Sequence, residues 1–290
     1  MELKKGFYPA LGTPLDENGN LVVESYRKQI NLMINAGAAG ALCMGSMGSE
    51  AALTDETYAL TAKTAAETAN GQIPLFIGAM DNSVFRVKDR CEMLKGLNFE
   101  GIVLTTPFYG TTSPTNLIRF FTEIADIAPK PIYLYDLPVV TKQKITYDMV
   151  LELCKHPNIK GIKTGDIVLA RLLQLNVPEC NVLFSNLDIF DVAGAFGLPR
   201  VLDGMFTCVP ANSAAFQKCY IENDIKGITN ALNNILALRD LFIEEGIWAG
   251  YTVAMNLLGL DGIYSHGYTP LATEEHAKKV TELMKQIGEI

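Results

Sequence analysis

Short runs of consecutive apolar residues alternate along this chain with longer stretches whose apolar positions recur every three or four residues. The short runs are GFYPALGTP around Phe7, GALCMG around Leu42, IPLFIGAM around Phe76 and GIVLTTP around Val103. PIYLYDLP around Leu134, IKGIK around Ile162, NVLFSN around Leu183 and RVLDGMF around Leu202 follow. Unbroken hydrophobicity of that length suits parallel strands buried on both faces. The longer stretches read as helices. In VESYRKQINLMINAG, Tyr26, Ile30, Met33 and Ile34 recur at helical spacing, and Gly37 is placed to end the helix. Asn82-Ser83 ahead of VFRVKDRCEMLKG offers an N-cap pair, and Asp16-Glu17-Asn18-Gly19-Asn20 reads as a surface turn. Eight strand–helix units predict an α/β fold, a closed (β/α)8 TIM barrel over residues 1–209. An open doubly wound sheet is the less favoured arrangement. From Pro210 onward the pattern is mostly helical (AAFQKCY, ITNALNNILALRDLFIEEG, GYTVAMNLLGL, TEEHAKKVTELMKQIG), which predicts a C-terminal helical region, 210–290, packed on the barrel.

Composition narrows the partners. With 290 residues, 49% of them hydrophobic, the chain can bury a sizeable core. A net charge of -8 argues against nucleic acid or an anionic membrane as partner. No run approaches the roughly 18 apolar residues that a membrane helix needs, and no apolar stretch near the start reads as a signal peptide. Cys43, Cys91, Cys154, Cys180, Cys208 and Cys219 are scattered without a CxxC pair, so they read as reduced thiols of a cytoplasmic protein. His156, His266 and His276 show no metal-ligand spacing, so neither a metal site nor a metal cofactor is expected.

In a parallel barrel the carboxyl ends of the strands gather on one face, where chemistry sits. Lys163 ends the sixth candidate strand and Tyr135 the fifth. Neighbouring strands lie about 4.8 Å apart, so the two side chains can approach if both point inward. A desolvated amine is a nucleophile toward carbonyls, and a tyrosine beside it can shuttle protons. A plainer fate for Lys163 is to snorkel outward or to pair with Asp166. For Tyr135 it is simple packing with a satisfied hydroxyl. After the second strand, Gly45-Ser46-Met47-Gly48-Ser49-Glu50 can present backbone N–H groups to a carboxylate. It lacks the GK[ST] ending of a nucleotide-binding loop.

Taken in order, these pieces resemble the dihydrodipicolinate synthase/N-acetylneuraminate lyase family of pyruvate-dependent class I aldolases. YPALGTPLDENG looks like that family's first strand and turn. GSMGSEAALT looks like its G-[ST]-[ST]-G-E-x-x-x-L motif, and GIVLTTPFY like its fourth strand. YDLP looks like Y-N-x-P, IKGIK like the strand of the Schiff-base lysine, and MNLLGLDG like a C-terminal helical segment. The resemblance implies that Lys163 forms the imine with pyruvate or another 2-oxo acid, with no cofactor. It implies Tyr135 as general acid/base, and Ser46 with the Ser46 and Met47 amides, next to Gly45, as the carboxylate holder. Tyr109 matches a tyrosine that crosses a subunit interface to join a relay with Ser46 and Tyr135. A homodimer, or a tetramer built as a dimer of dimers, is therefore implied. Gly204 and Met205 match the eighth-strand position that lines the site.

Four departures bear on the substrate. Met47 replaces the second hydroxyl residue of the motif. Ser49 stands where the family has Glu, with Glu50 one place later. Val140 stands where dihydrodipicolinate synthases carry the arginine that grips the aldehyde's carboxylate, so aspartate semialdehyde loses a bidentate anchor. Thr164-Gly165-Asp166 follows Lys163 at shortened spacing. Sialic acid lyases use an Asp-Glu pair after the seventh strand. Here Asp188 matches but Ile189 replaces Glu, and Asp188 is equally suited to a helix N-terminus. What remains is a 2-oxo acid site with a more apolar outer pocket. It is nearer to lyases of 2-keto-3-deoxy sugar acids, making or breaking a carbon–carbon bond beside pyruvate, than to a dihydrodipicolinate synthase. A dehydratase on a related sugar acid would use the same imine. A non-catalytic 2-oxo acid binding protein is the reading from another class, disfavoured because Lys163, Tyr135 and Tyr109 are all retained.

Overall fold

The computed structural model describes residues 3–290, apart from the side chain of Glu245. Strands and helices alternate: β1 (Gly6–Pro9), α1 (Val23–Asn35), β2 (Ala41–Cys43), α2 (Asp55–Ala69), β3 (Leu75–Gly78), α3 (Val84–Met93), β4 (Gly101–Thr105) and α4 (Pro114–Ile127). Then come β5 (Ile132–Asp136), α5 (Pro138–Thr141), α6 (Tyr147–Leu153), β6 (Ile159–Thr164), α7 (Ile167–Asn176), β7 (Asn181–Phe184), α8 (Phe190–Ala195) and β8 (Arg200–Asp203). α9 (Pro210–Glu222), α10 (Ile225–Glu245), α11 (Ile247–Leu257) and α12 (Glu274–Gln286) complete the chain.

All eight predicted strands form, each pairing parallel, in the order β1-β8-β7-β6-β5-β4-β3-β2. A parallel bridge from Ala10 to Leu42 joins the two ends, and the Leu11 N–H donates to the Leu42 carbonyl at 2.8 Å. That closure makes the sheet a barrel rather than an open doubly wound layer. The unbroken apolar runs divide by alternation, as successive side chains point to opposite faces. Tyr8, Leu42, Phe76, Val103, Tyr133, Leu183 and Leu202 fill the interior, whereas Phe7, Ile77, Leu104, Leu134, Ile162 and Val201 face the helices. Burying each such side chain is worth about 1.5–3 kcal/mol.

Gly161 in IKGIK answers to that packing. A Cβ there would lie 2.6 Å from the Tyr133 ring and 2.3 Å from the Asn181 carbonyl oxygen. The glycine lets Tyr133 lie across β6, and two residues on, the same inward face carries Lys163.

The predicted caps hold in part. Ser83 Oγ accepts the Arg86 N–H at 3.3 Å, but Asn82 works elsewhere: its Oδ1 accepts the amides of Phe108 and Tyr109 at 2.8 and 2.7 Å. Asp16 Oδ1 accepts the Asn18 and Asn20 amides, closing the surface turn. α1 ends at Asn35, and Gly37 follows with φ of 85°. The six cysteines are unpaired. Of the four helices after β8, α9 completes the outer ring: Gln217 Oε1 accepts the β1 amide of Phe7 at 2.8 Å. α10 then packs on α8, α9, α11 and α12. No helix among the described residues is long and apolar enough to cross a membrane.

Candidate functional site

β5 and β6 lie side by side with Tyr135 opposite Lys163 and Asp136 opposite Thr164. Both residues of the first pair turn into the barrel mouth. Lys163 is only 4% exposed, and its Nζ sits 4.0 Å from the centroid of the Tyr135 ring. The plainer fates for this lysine do not occur. It is buried rather than snorkelling, and Asp166 is engaged elsewhere. Asp166 Oδ1 accepts the Val168 and Leu169 amides as the N-cap of α7, and its Oδ2 pairs with Lys144 at 3.0 Å. Burial works to raise the Asp166 pKa, but those amides and Lys144 outweigh it and hold the carboxyl below its usual range.

The second opposed pair forms a clasp on the outer face of the same two strands. Asp136 accepts the Ile145 N–H at 3.0 Å and the Thr164 hydroxyl at 2.9 Å, and it pairs with Lys144. Thr164, the residue after Lys163, therefore has a structural part. It ties the strand end bearing Lys163 to the one bearing Tyr135.

Ser46 completes the inner cluster, its Oγ 3.4 Å from the Tyr135 hydroxyl. The extra residue in its loop is absorbed at Ser49, which takes the left-handed conformation (φ 53°) and returns Glu50 to the interior at 1% exposure. Arg90 Nε lies 3.6 Å from Glu50, its Nη1 is 2.9 Å from Asp55, and its guanidinium stacks over Tyr58 at 4.3 Å. Burial pushes the Glu50 carboxyl up to about 8, against the pull of Arg90. Met47 leans across the mouth onto Gly204, where a Cβ would come within 2.6 Å of Met47 Cγ. Gly45 and Met205 are buried beside them.

Two cavities flank this cluster. One, about 510 Å³, opens from Ser46 and is walled by Met80, Phe108, Leu137, Val140 and Trp248. The other, about 850 Å³, opens from Tyr135 and is walled by Lys144, Ser185, Asp188, Asp203, Met205 and Arg239. No Lys or Arg lines the cavity on the Val140 side among the described residues, whereas the other side adds Lys144, Arg239 and four aspartates to the outer pocket expected to be apolar. The reason is distant in sequence: α10 sends Arg239 into the mouth. Asp188 lies in the short 3-10 turn Leu187–Ile189 ahead of α8 and pairs with Arg239 at 2.6 Å, which lowers its pKa. Arg239 also pairs with Asp240 at 2.6 Å. Asp203 ends β8, and its Oδ1 accepts the Met205 N–H at 2.8 Å. Burial raises its carboxyl pKa, opposed by that amide and by the charge of Lys163.

The structure brings together Lys163, Tyr135, Ser46, Met47 and Gly204. It puts Val140 and Asp188 on opposite rims. Tyr109 is 90% exposed and forms no hydrogen bond with Ser46 or Tyr135 of its own chain among the described residues. Its loop is nonetheless held by Asn82. Sequence reading passed over Lys144, Asp203 and Arg239. Asp203 carried a usable signal, as the last residue of its strand. Arg239 carried none, being one charged residue within a long amphipathic helix.

A model of the "Dihydrodipicolinate synthetase family" matches residues 3–287. A 4-hydroxy-tetrahydrodipicolinate synthase of Nitrosospira multiformis is 31% identical over 98% of this chain and 96% of its own. Among solved structures, an N-acetylneuraminate lyase of Proteus mirabilis superimposes with a TM-score of 0.90 at 18% identity, covering the whole of both chains. A dihydrodipicolinate synthase of Acinetobacter baumannii, solved with pyruvate, does so with a TM-score of 0.89 at 21% identity, again over both whole chains.

Proposed function

From the premise that the chain belongs to the dihydrodipicolinate synthetase family, whose members are class I pyruvate-dependent lyases, we propose that it joins or splits pyruvate and a hydroxylated aldehyde. The substrate in the cleavage direction is a 2-keto-3-deoxy sugar acid. The observation that carries this reading is the buried Lys163 amine packed on Tyr135, with Ser46 at 3.4 Å from the tyrosine hydroxyl.

The Lys163 amine adds to the C2 carbonyl of the 2-oxo acid. The carbinolamine loses water and leaves a protonated imine. Tyr135 takes the proton of the C4 hydroxyl, the C3–C4 bond breaks, and its electron pair moves into the imine. The product is a neutral enamine rather than a carbanion, which is the energetic gain of the lysine. The aldehyde departs, C3 is reprotonated, and water releases pyruvate. The Ser46 and Met47 amides fix the carboxylate and so aim the ketone at Lys163. Tyr109 serves the neighbouring subunit of a homodimer or tetramer. Its exposure on a loop pinned by Asn82 supports that assignment.

The synthase name of the Nitrosospira relative favours a second reading, condensation of pyruvate with aspartate semialdehyde. The cavity around Val140 weighs against it, since no Lys or Arg lines it among the described residues. Borohydride reduction with pyruvate, followed by peptide mass spectrometry, is the test. A pyruvoyl-derived mass on the Lys163 peptide, absent in Lys163→Ala, is expected. A protein with no adduct at saturating pyruvate is not a lyase of this kind. Turnover of 2-keto-3-deoxy acids then separates a lyase from a silent binder, and efficient use of aspartate semialdehyde would reverse the order of the two readings.

A further inference from the structure

The larger cavity contains charges that the inner chemistry does not use. Lys144 is engaged by two carboxylates, Asp136 and Asp166, and Arg239 by two more, Asp188 and Asp240. Asp203 is different. One of its oxygens accepts the Met205 N–H, and no Lys or Arg forms a salt bridge with it among the described residues, although the charges of Lys163 and Arg239 act on it from further off. It lines the same cavity as Tyr135, the space that an aldehyde reacting at Tyr135 would enter.

We propose that Asp203 is a specificity-determining residue: it binds a hydroxyl of the aldehyde half and makes the site select an uncharged polyhydroxy aldehyde over a phosphorylated or carboxylated one. This rests on the lysine-imine reading above. A carboxyl group bonds a hydroxyl whether ionised or not, as acceptor or as donor. An anionic aldehyde finds no comparable partner. To reach Lys144 or Arg239 it must displace a carboxylate already bound there, and the ionised form of Asp203 repels it, by about tenfold or more where the two charges approach within a few ångströms. Fixing the hydroxyl also sets the aldehyde carbon against Tyr135, where small displacements are costly.

The test compares D-glyceraldehyde with glyceraldehyde 3-phosphate as partners of pyruvate, in the parent protein and in Asp203→Asn. Asparagine keeps an oxygen for the Met205 N–H but removes the charge. The parent protein is expected to favour glyceraldehyde by about tenfold in kcat/KM, and Asp203→Asn to narrow that ratio about tenfold. Borohydride trapping of pyruvate is expected to persist in the variant. An equal loss for both aldehydes would show that Asp203 merely holds the turn after β8, and a parent preference for the phosphorylated aldehyde would overturn the proposal outright. If the parent protein traps no pyruvate, the imine reading itself fails and this inference with it. An adduct with unaltered discrimination removes only the inference.

Discussion

The clasp behind the site makes a quantitative prediction. Asp136, 1% exposed at its side chain, accepts from the Ile145 amide, the Thr164 hydroxyl and Lys144. Asp136→Ala strands the amide and the hydroxyl and leaves Lys144 with Asp166 alone. Breaking a buried charged partner typically costs about 3–5 kcal/mol. Lys144 is more than a third exposed, so its share is screened and adds no more than about 1 kcal/mol. The expected loss is therefore about 3–4 kcal/mol. Thr164→Val removes the bond to the carboxylate and also the acceptor of the Asp166 N–H, and its cost is about 2–3 kcal/mol. Because both variants break the same contact, the double variant should lose at least about 1 kcal/mol less than the sum of the two. Urea titrations with an unchanged slope measure all three. The clasp also sets the register of Tyr135 against Lys163, so kcat should fall by about tenfold in Asp136→Ala while pyruvate trapping persists. A loss under about 1 kcal/mol, or strict additivity, would refute the reasoning.

Tyr135→Phe keeps the ring under Lys163 but removes the hydroxyl, so kcat should drop by about 10²–10⁴ with pyruvate still trapped by borohydride. Glu50 has a folded pKa of about 8, raised from 4.5. Its stabilising effect is full below about 4.5 and is lost as pH rises through 8, by up to roughly 5 kcal/mol. Glu50→Gln should flatten that slope in denaturation curves taken between pH 5 and pH 9, as measured against the parent. Gly161→Ala places a methyl 2.3 Å from a backbone oxygen that cannot rotate away, so unfolding should show a loss of about 1–3 kcal/mol.

The barrel was legible because its strands are buried on both faces, which writes each as an unbroken apolar run, and because strand ends converge by topology alone. That logic placed Lys163 beside Tyr135 from the residue positions. It also raised Ser46, which a turn after β2 brings to the same mouth. The misreadings share a physical origin. A cap residue has more than one use: Asn82 sits where an N-cap would, yet its side chain holds the β4–α4 loop instead. One extra residue in a loop does not announce whether the chain absorbs it, and the left-handed Ser49 is visible only in the backbone. Arg239 lies far along the chain from every strand end, and helical periodicity says which face is apolar but not what a charged residue on the other face will meet.

That last point separates two parts of the site by how they are built. On the proposed reading, the groups that hold pyruvate come from β2, β5 and β6. They are fixed by ladder hydrogen bonds and by the Asp136 clasp, so they tolerate little change. The groups facing the aldehyde come from the ends of β7 and β8 and from α10, which packs on the barrel from beyond its ring of helices. A shift of α10 by a fraction of a turn would move Arg239 away from Asp188 without disturbing the lysine. Substrate choice can therefore change while the imine chemistry stays, and neither Val140 nor Asp188 taken alone decides it. The pairing of Asp188 with Arg239 is the more informative feature, because it leaves Asp203 as the carboxylate of that wall without a salt bridge among the described residues.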